Sequence, residues 1–342
     1  MSDWFQKQWK GYSIWHLILL PLSLFFFLLS TARKQLFRFG VLNSYKLPVP
    51  VIVVGNISVG GTGKTPLVIW LANQLKQRGF KPGIVSRGYA GLANGVTEVF
   101  AHSMPNSVGD EPLLIARYLD CPVFVGAHRV NAAKTLLEAH PEVNVIVSDD
   151  GLQHYRLQRD IEIAVVDAER GFGNALLLPA GSLREVKSRL NSVDAIVMTN
   201  SNQQSSIKTE FLAPVFEMKL TGSLFVSLFD ENSQQAARFF DAKSLVAVAG
   251  IGNPQRFFNA LIKMGLVFEQ KSFPDHHAYT PQDLLPFAGK TILMTEKDAV
   301  KCEQFAKGNA QFDIWMLPVS ANIDDGLNEL VLQKLATLSK GK

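Results

Sequence analysis

The apolar run Val51-Ile52-Val53-Val54 leads into Ser58-Val59-Gly60-Gly61-Thr62-Gly63-Lys64-Thr65, and Pro66-Leu67-Val68-Ile69-Trp70-Leu71-Ala72 follows with a helical pattern. Strand, glycine-rich turn, Lys-Thr and helix form the context that a phosphate-binding P-loop requires. The glycines let backbone N–H groups turn inward around a polyphosphate, and the helix N-terminus adds partial positive charge. Lys64 is placed to reach the β- and γ-phosphates and the Thr65 hydroxyl to meet Mg2+. The usual first glycine of the motif is Ser58 here. Membrane-associated partition ATPases carry an extra Lys before the paired glycines. Val59 stands there instead, which argues against a nucleotide-sandwich dimer.

Further apolar runs at 82–85, 122–125, 143–148, 161–167 and 195–200 alternate with helical windows. That order predicts an α/β fold, a P-loop NTPase-like parallel sheet with helices on both faces. The chain turns polar around 201–206, and 215–220 and 224–229 read as two strands of a connecting ribbon. A smaller second α/β unit starts at Leu245-Val246-Ala247-Val248-Ala249 and enters the Gly250-Ile251-Gly252 turn. The full dinucleotide fingerprint is absent there, so this turn reads as structural. The expected division is 1–35 as a membrane-associated segment, 36–212 as the P-loop kinase domain and 213–342 as the smaller domain with its linker strands.

The N-terminal stretch Ile14–Leu29 is apolar, with Pro21 near its middle and Trp4, Trp9, Tyr12 and Trp15 on its leading side. As a helix it is about 24 Å long, short of the ~30 Å hydrocarbon core, so spanning and embedding both stay open. Residues 1–50 hold six basic side chains against Asp3, whereas the whole chain carries only +4. A basic collar around an apolar stretch suits an anionic membrane surface, and no basic stripe continues into the body to meet nucleic acid. A cleaved signal peptide fits poorly, since no small-residue cleavage site follows. Cys121 and Cys302 stand in no metal-ligand spacing and read as buried small hydrophobes.

Asp149-Asp150 closes the apolar strand at 143–148, the place where P-loop proteins hold Mg2+. Arg87, in a glycine-rich loop after the second strand, is an anion-contact candidate, with a solvated loop arginine as the alternative. Asp110-Glu111 opens a helix, which an N-cap role alone would explain. Asp275-His276-His277 is compatible with a metal site, a general base or plain surface.

In joint order, Val59–Pro66, Ser86-Arg87-Gly88-Tyr89, Gly109-Asp110-Glu111-Pro112, Asp149-Asp150-Gly151-Leu152-Gln153-His154, Leu178-Pro179-Ala180-Gly181-Ser182-Leu183-Arg184-Glu185, Asp275-His276 and Thr295-Glu296-Lys297-Asp298 resemble the tetraacyldisaccharide 4'-kinase family over nearly the whole chain. The resemblance implies an ATP- and Mg2+-dependent kinase acting on the 4'-hydroxyl of a tetraacylated glucosamine disaccharide 1-phosphate in lipid A biosynthesis. It implies an active site between two α/β domains joined by a short β-ribbon. Lys64 and Thr65 then match phosphate and Mg2+ contacts, and Asp149 and Asp150 the acidic pair at the metal. Asp110 matches the base and His276 the partner that orients or relays the proton, Glu111, Arg184 and Glu185 match further active-site positions, and Arg87 and Gln153 are further active-site candidates. The expected setting is the cytoplasmic face of the inner membrane of a Gram-negative bacterium, as a monomer without nucleic-acid partners. Val186 where Pro is expected and the second His277 are departures, and the latter blurs which imidazole acts. Two readings compete: a membrane-recruited P-loop NTPase switch, and a soluble small-molecule kinase.

Overall fold

In this computed structural model the described residues are 4, 8–88, 95–200, 210–230, 232–241, 244–309 and 311–340. Tyr89 and the polar stretch 201–206 lie outside them, as do Asp3 and Lys7. Among the described residues the elements run helix α1 (His16–Arg38), then β1 (Val51–Gly55), α2 (Lys64–Gln77), β2 (Pro82–Ser86), β3 (Thr97–Glu98), α3 (Pro105–Val108) and α4 (Asp110–Tyr118). It continues with β4 (Val123–Val125), α5 (Arg129–Ala139), β5 (Val145–Asp149), β6 (Ile161–Asp167), β7 (Ala195–Thr199), β8 (Val215–Thr221), β9 (Leu224–Ser227), β10 (Gln234–Ala236) and β11 (Leu245–Ala249). The remainder is α6 (Pro254–Lys263), β12 (Glu269–Ser272), α7 (Pro281–Leu284), β13 (Thr291–Thr295), α8 (Glu296–Ala306), β14 (Asp313–Leu317), β15 (Ser320–Ile323) and α9 (Asp325–Lys340).

Two sheets form. The first runs β15-β8-β7-β6-β1-β5-β2-β4-β3 and is parallel from β8 through to β4. Its central strands are buried along their whole length because helices cover both faces. Alternation along β1 sorts the core: Ile52 and Val54 meet Leu67 and Leu71 of α2, with Leu327 and Val331 of α9 in the same cluster. Val51 and Val53 face the opposite layer, with Val130 and Leu136 of α5. The second sheet runs β10-β9-β14-β13-β11-β12, parallel from β14 to β12.

The ribbon is built differently from its sequence-level reading. β8 and β9 belong to different sheets, and each pairs antiparallel with the returning chain, β8 with β15 and β9 with β14. The two crossings run side by side, and at Gly222 a Cβ would fall 2.3 Å from the Pro318 carbonyl oxygen. Sheet membership returns β15 and α9 to the first unit, so we draw the second unit at 224–317 and not at 213–342.

Helix α1 also departs from expectation. It has 23 residues and extends past the apolar stretch through Arg33, Lys34 and Arg38, with Pro21 accommodated in its second turn. At about 35 Å it exceeds the length read from the sequence. Its buried residues are polar: His16 and Ser23. The Ser23 hydroxyl donates to the Leu177 carbonyl and accepts from the Ala180 N–H, both at 2.9 Å. His16 Nε2 lies 3.1 Å from the Asn174 amide nitrogen. Leu17, Ile18, Leu22, Leu24, Phe25, Leu28 and Leu29 face outward, each more than half exposed.

Candidate active site

The loop between β1 and α2 is braced from within. The buried Asn56 side-chain amide donates to the Gly60 carbonyl and the Thr62 hydroxyl, both at 3.3 Å, and the Thr199 hydroxyl donates to the Thr62 carbonyl. Gly60 and Gly63 adopt φ of 109° and 91°, a region that side chains disfavour. Ser58 needs no such freedom, because it lies in an antiparallel bridge with Leu183. That pairing explains why the motif tolerates the lost glycine: the Val59 N–H donates to Ser182 O at 2.8 Å and the Arg184 N–H to Ile57 O at 2.7 Å. The 176–185 segment is thereby fixed beside the P-loop, carrying Arg184 and Glu185 with it.

Strand β5 delivers Asp149, and Asp150 follows in a left-handed conformation with φ 48°. The buried Arg129 donates to both of their backbone carbonyls and holds the turn. Asp149 Oδ2 accepts from the Ser86 hydroxyl at 3.2 Å, while the buried Oδ1 has no hydrogen-bond partner among the described residues. Burial, with Glu111 next, pushes the Asp149 carboxyl up to about 7, against the pull of Lys64. Asp150 is engaged by two cations, Lys64 Nζ at 3.4 Å and Arg184 Nη1 at 3.2 Å. They hold its carboxyl below the ordinary range in spite of burial.

Opposite the P-loop, Gly109 caps α4 and Asp110 is its first residue, inside the helix and not at the cap position the sequence suggested. Asp110 Oδ1 accepts from the Glu111 N–H at 2.9 Å, and Oδ2 lies 3.1 Å from His276 Nδ1. His276 comes from the second unit, in a left-handed turn with φ 57°. Burial opposes ionisation of Asp110, yet the His276 hydrogen bond and the charges of Lys297, His276 and Lys301 hold its carboxyl down at about 2. The same hydrogen bond raises His276 above the ordinary imidazole value. His277 points away, 3.2 Å from Asp283 and stacked on Phe273 at 4.5 Å. The structure therefore brings His276, and not its neighbour, to Asp110.

The remaining expected residues also converge. Glu111 pairs with Lys297 Nζ at 2.6 Å. The Gln153 amide donates to Asn56 O at 3.0 Å and Glu185 Oε1 at 2.8 Å, and the Tyr155 hydroxyl donates to Glu185 Oε2. Lys34 of α1 approaches Glu185 at 3.9 Å, so the N-terminal helix reaches the site. Arg87 is exposed and lines the cavity. Among the described residues no cluster of three or more His, Cys, Asp or Glu makes a metal cage. Both cysteines are free, Cys302 buried and Cys121 half-buried.

Sequence reasoning missed Lys297 and Lys301 of α8, and the cross-unit pair Arg117–Glu303, whose Nη2 and Oε2 are 2.7 Å apart. The one available signal was the strand-to-helix run Thr295-Glu296-Lys297-Asp298, which placed charge at a helix start without naming its partner. One cavity of about 2670 Å3 joins these parts, bordered by the P-loop, Asp110, Asp149, His276 and Lys297, and reaching Phe26, Leu29 and Arg33 of α1.

A family model described as tetraacyldisaccharide-1-P 4'-kinase, LpxK, matches residues 15–336. A tetraacyldisaccharide 4'-kinase from Methylobacillus flagellatus is 47% identical over 337 residues, covering 98% of this chain and 97% of that protein. One from Aromatoleum aromaticum is 50% identical over 327 residues, 96% of each. A crystal structure of LpxK from Aquifex aeolicus in complex with ATP, described as an "apo" form, matches with a TM-score of 0.74 at 30% identity. That match covers 92% of this chain and 98% of the other.

Proposed function

The chain belongs to the tetraacyldisaccharide-1-P 4'-kinase family, and on that premise we propose how its own residues divide the reaction. It is an ATP-dependent kinase of lipid A biosynthesis that places the γ-phosphate on the 4'-hydroxyl of a tetraacylated glucosamine disaccharide 1-phosphate. Phosphoryl transfer asks little covalent work of a protein; it asks for in-line positioning and charge neutralisation. The observation that carries the assignment of roles is the single cavity running from the P-loop past Asp110 and His276 to α1.

Backbone N–H groups of Gly60 to Thr65 hold the ATP phosphates, and Lys64 moves from Asp150 toward the β- and γ-oxygens. Asp110 takes the proton of the sugar hydroxyl, with His276 orienting its carboxylate. A carboxylate held as low as about 2 is a weak base in the ground state. The pair therefore acts late, as charge develops on the attacking oxygen. Gln153, Arg184 and Glu185 border the acceptor side, next to α1, and Arg87 serves as an anion contact. The donors fit Mg2+, which keeps several waters and takes only a few protein oxygens. Thr65, Asp149 and Asp150 would supply them, and the buried Oδ1 of Asp149 has no hydrogen-bond partner among the described residues. When bound, the ion would supply positive charge against the ATP phosphates.

Helix α1 touches the body at His16, Ser23, Arg33 and Lys34. Those contacts extend about 27 Å along its axis. A helix tied to the body along such a length embeds its outward apolar face in one leaflet and does not cross the bilayer. The enzyme then sits on the cytoplasmic face of the inner membrane, where ATP is available, and works as a monomer, since one chain supplies every group named above. The test is transfer of labelled γ-phosphate to tetraacyldisaccharide 1-phosphate in detergent micelles. Wild type transfers, and Lys64→Ala loses transfer while still binding vesicles. A folded, ATP-binding wild type with no transfer would overturn the assignment.

A further inference from the structure

Beneath the Asp110–His276 contact lies a charged chain that the roles above leave unused. Asp298 is fully buried in the first turn of α8. Its Oδ2 accepts from the Gly250 N–H at 3.0 Å and the Thr295 hydroxyl at 2.7 Å. One turn on, Lys301 places Nζ 3.0 Å from Asp298 Oδ1 and 3.9 Å from Asp110 Oδ2. The Lys301 side chain is only 8% exposed, and its ammonium stands 5.3 Å from the centroid of the Tyr279 ring. Although ion-paired, this ammonium has hydrogen-bond geometry to no acceptor among the described residues.

Burying an ammonium costs several kcal/mol unless it is compensated. Asp298 supplies that compensation from the same helix face, three residues away, and so stays with Lys301 wherever the second unit goes. Asp110 belongs to the first unit, and its contact with Lys301 exists only while the units are together. We propose that Lys301 is a positioning residue for phosphoryl transfer, a cation fixed by Asp298 that orients the Asp110 carboxylate when the second unit closes on the first. This rests on the reading of Asp110 as the base. Asp110 is also faced by His276 from the 273–280 loop, itself 3.9 Å from Asp275, by Lys297 from α8, and by its neighbour Glu111, which lies under the charge of Lys64. His276 is taken up in hydrogen bonding to Asp110 Oδ2, and Lys297 is held by Glu111 at 2.6 Å. Lys301 is thus the cation in this group whose remaining direction is Asp110. Gly250 is required by the same arrangement, because a Cβ there would sit 2.8 Å from the Tyr279 hydroxyl and 3.2 Å from Asp298 Oδ1.

The experiment compares Lys301→Met, Asp110→Ala and the combined variant by single-turnover transfer in micelles, with steady-state KM for ATP alongside. Lys301→Met is expected to lower kcat about tenfold or more, with KM for ATP within about twofold of wild type. In the Asp110→Ala background the same substitution should change the residual rate less than about twofold, since the group it acts through is gone. Lys301→Met leaves the buried Asp298 without its counter-ion, so Asp298→Asn/Lys301→Met, a neutral pair of similar size, is run as well and should show the same loss in a folded protein. Wild-type kcat in either variant, or an equal loss with and without Asp110, overturns the proposal. Wild-type transfer by Asp110→Ala alone overturns the base assignment instead, and the two failures are read from different proteins.

Discussion

Replacing Ser23 tests whether α1 docks by its polar face. Its hydroxyl bridges the Leu177 carbonyl and the Ala180 N–H, both at 2.9 Å, in a buried position. Ser23→Ala removes both bonds with unequal consequences. The Leu177 carbonyl still accepts from the Gly181 N–H at 2.8 Å, whereas the fully buried Ala180 loses the partner of its N–H. Leaving that donor unpaired costs about 1–3 kcal/mol, so the docked state should weaken by about 2 kcal/mol. At about 1.4 kcal/mol per factor of ten, the undocked population rises ~30-fold. Amide hydrogen exchange in micelles reads this directly: protection should fall at Ala180 and Gly181 and along the body-facing side of α1, and stay unchanged in β11 and β13. Ser23→Leu sharpens the contrast, because it raises the hydropathy of the helix and should still loosen the docking. Wild-type protection in both variants would refute the reasoning, and tighter protection in Ser23→Leu would show that apolar contact holds the helix.

Gly222→Ala should strain the ribbon, since the added Cβ meets the Pro318 carbonyl oxygen at 2.3 Å and both crossings must shift. A loss of about 1–3 kcal/mol is expected in urea unfolding, and an unchanged midpoint would contradict the paired crossing. For Asp149 the folded carboxyl lies at about 7, above its ordinary 3.8. Its ionised form is therefore disfavoured in the fold, and stability is lost as pH rises from about 4 to 7. Asp149→Asn should remove that slope in the metal- and nucleotide-free protein, so its melting advantage over wild type grows across this window while transfer is lost. A difference independent of pH would refute the sign.

The first unit was legible because its information is local. Val51–Val54, Ile161–Asp167 and Ala195–Thr199 are apolar runs whose burial on both faces follows from a parallel sheet. The P-loop is a contiguous motif, and even Ser58 becomes intelligible once its bridge to Leu183 is seen. What stayed hidden depends on segments far apart in the chain. The ribbon partner of β8 lies about one hundred residues onward, in β15, and no periodicity announces that return. Lys297 and Lys301 read as ordinary helix charges until α8 is packed on α4, where they face Glu111 and Asp110. The length of α1 was underestimated because its last turns carry Arg33, Lys34 and Arg38, which end an apolar run without ending a helix. Its inward polar face was invisible for the same reason: Ser23 and His16 have meaning only against the 174–180 loop.

The central claim is that a carboxylate from the first unit and an imidazole from the second act as one device on the acceptor hydroxyl. The direct test is single-turnover transfer of labelled γ-phosphate to tetraacyldisaccharide 1-phosphate by Asp110→Ala, His276→Ala and the double variant, with ATP binding checked for each. Each single variant should lose about a hundredfold or more, and the double should be no slower than the slower single. Losses that multiply in the double variant, or a wild-type rate in either single, would contradict it.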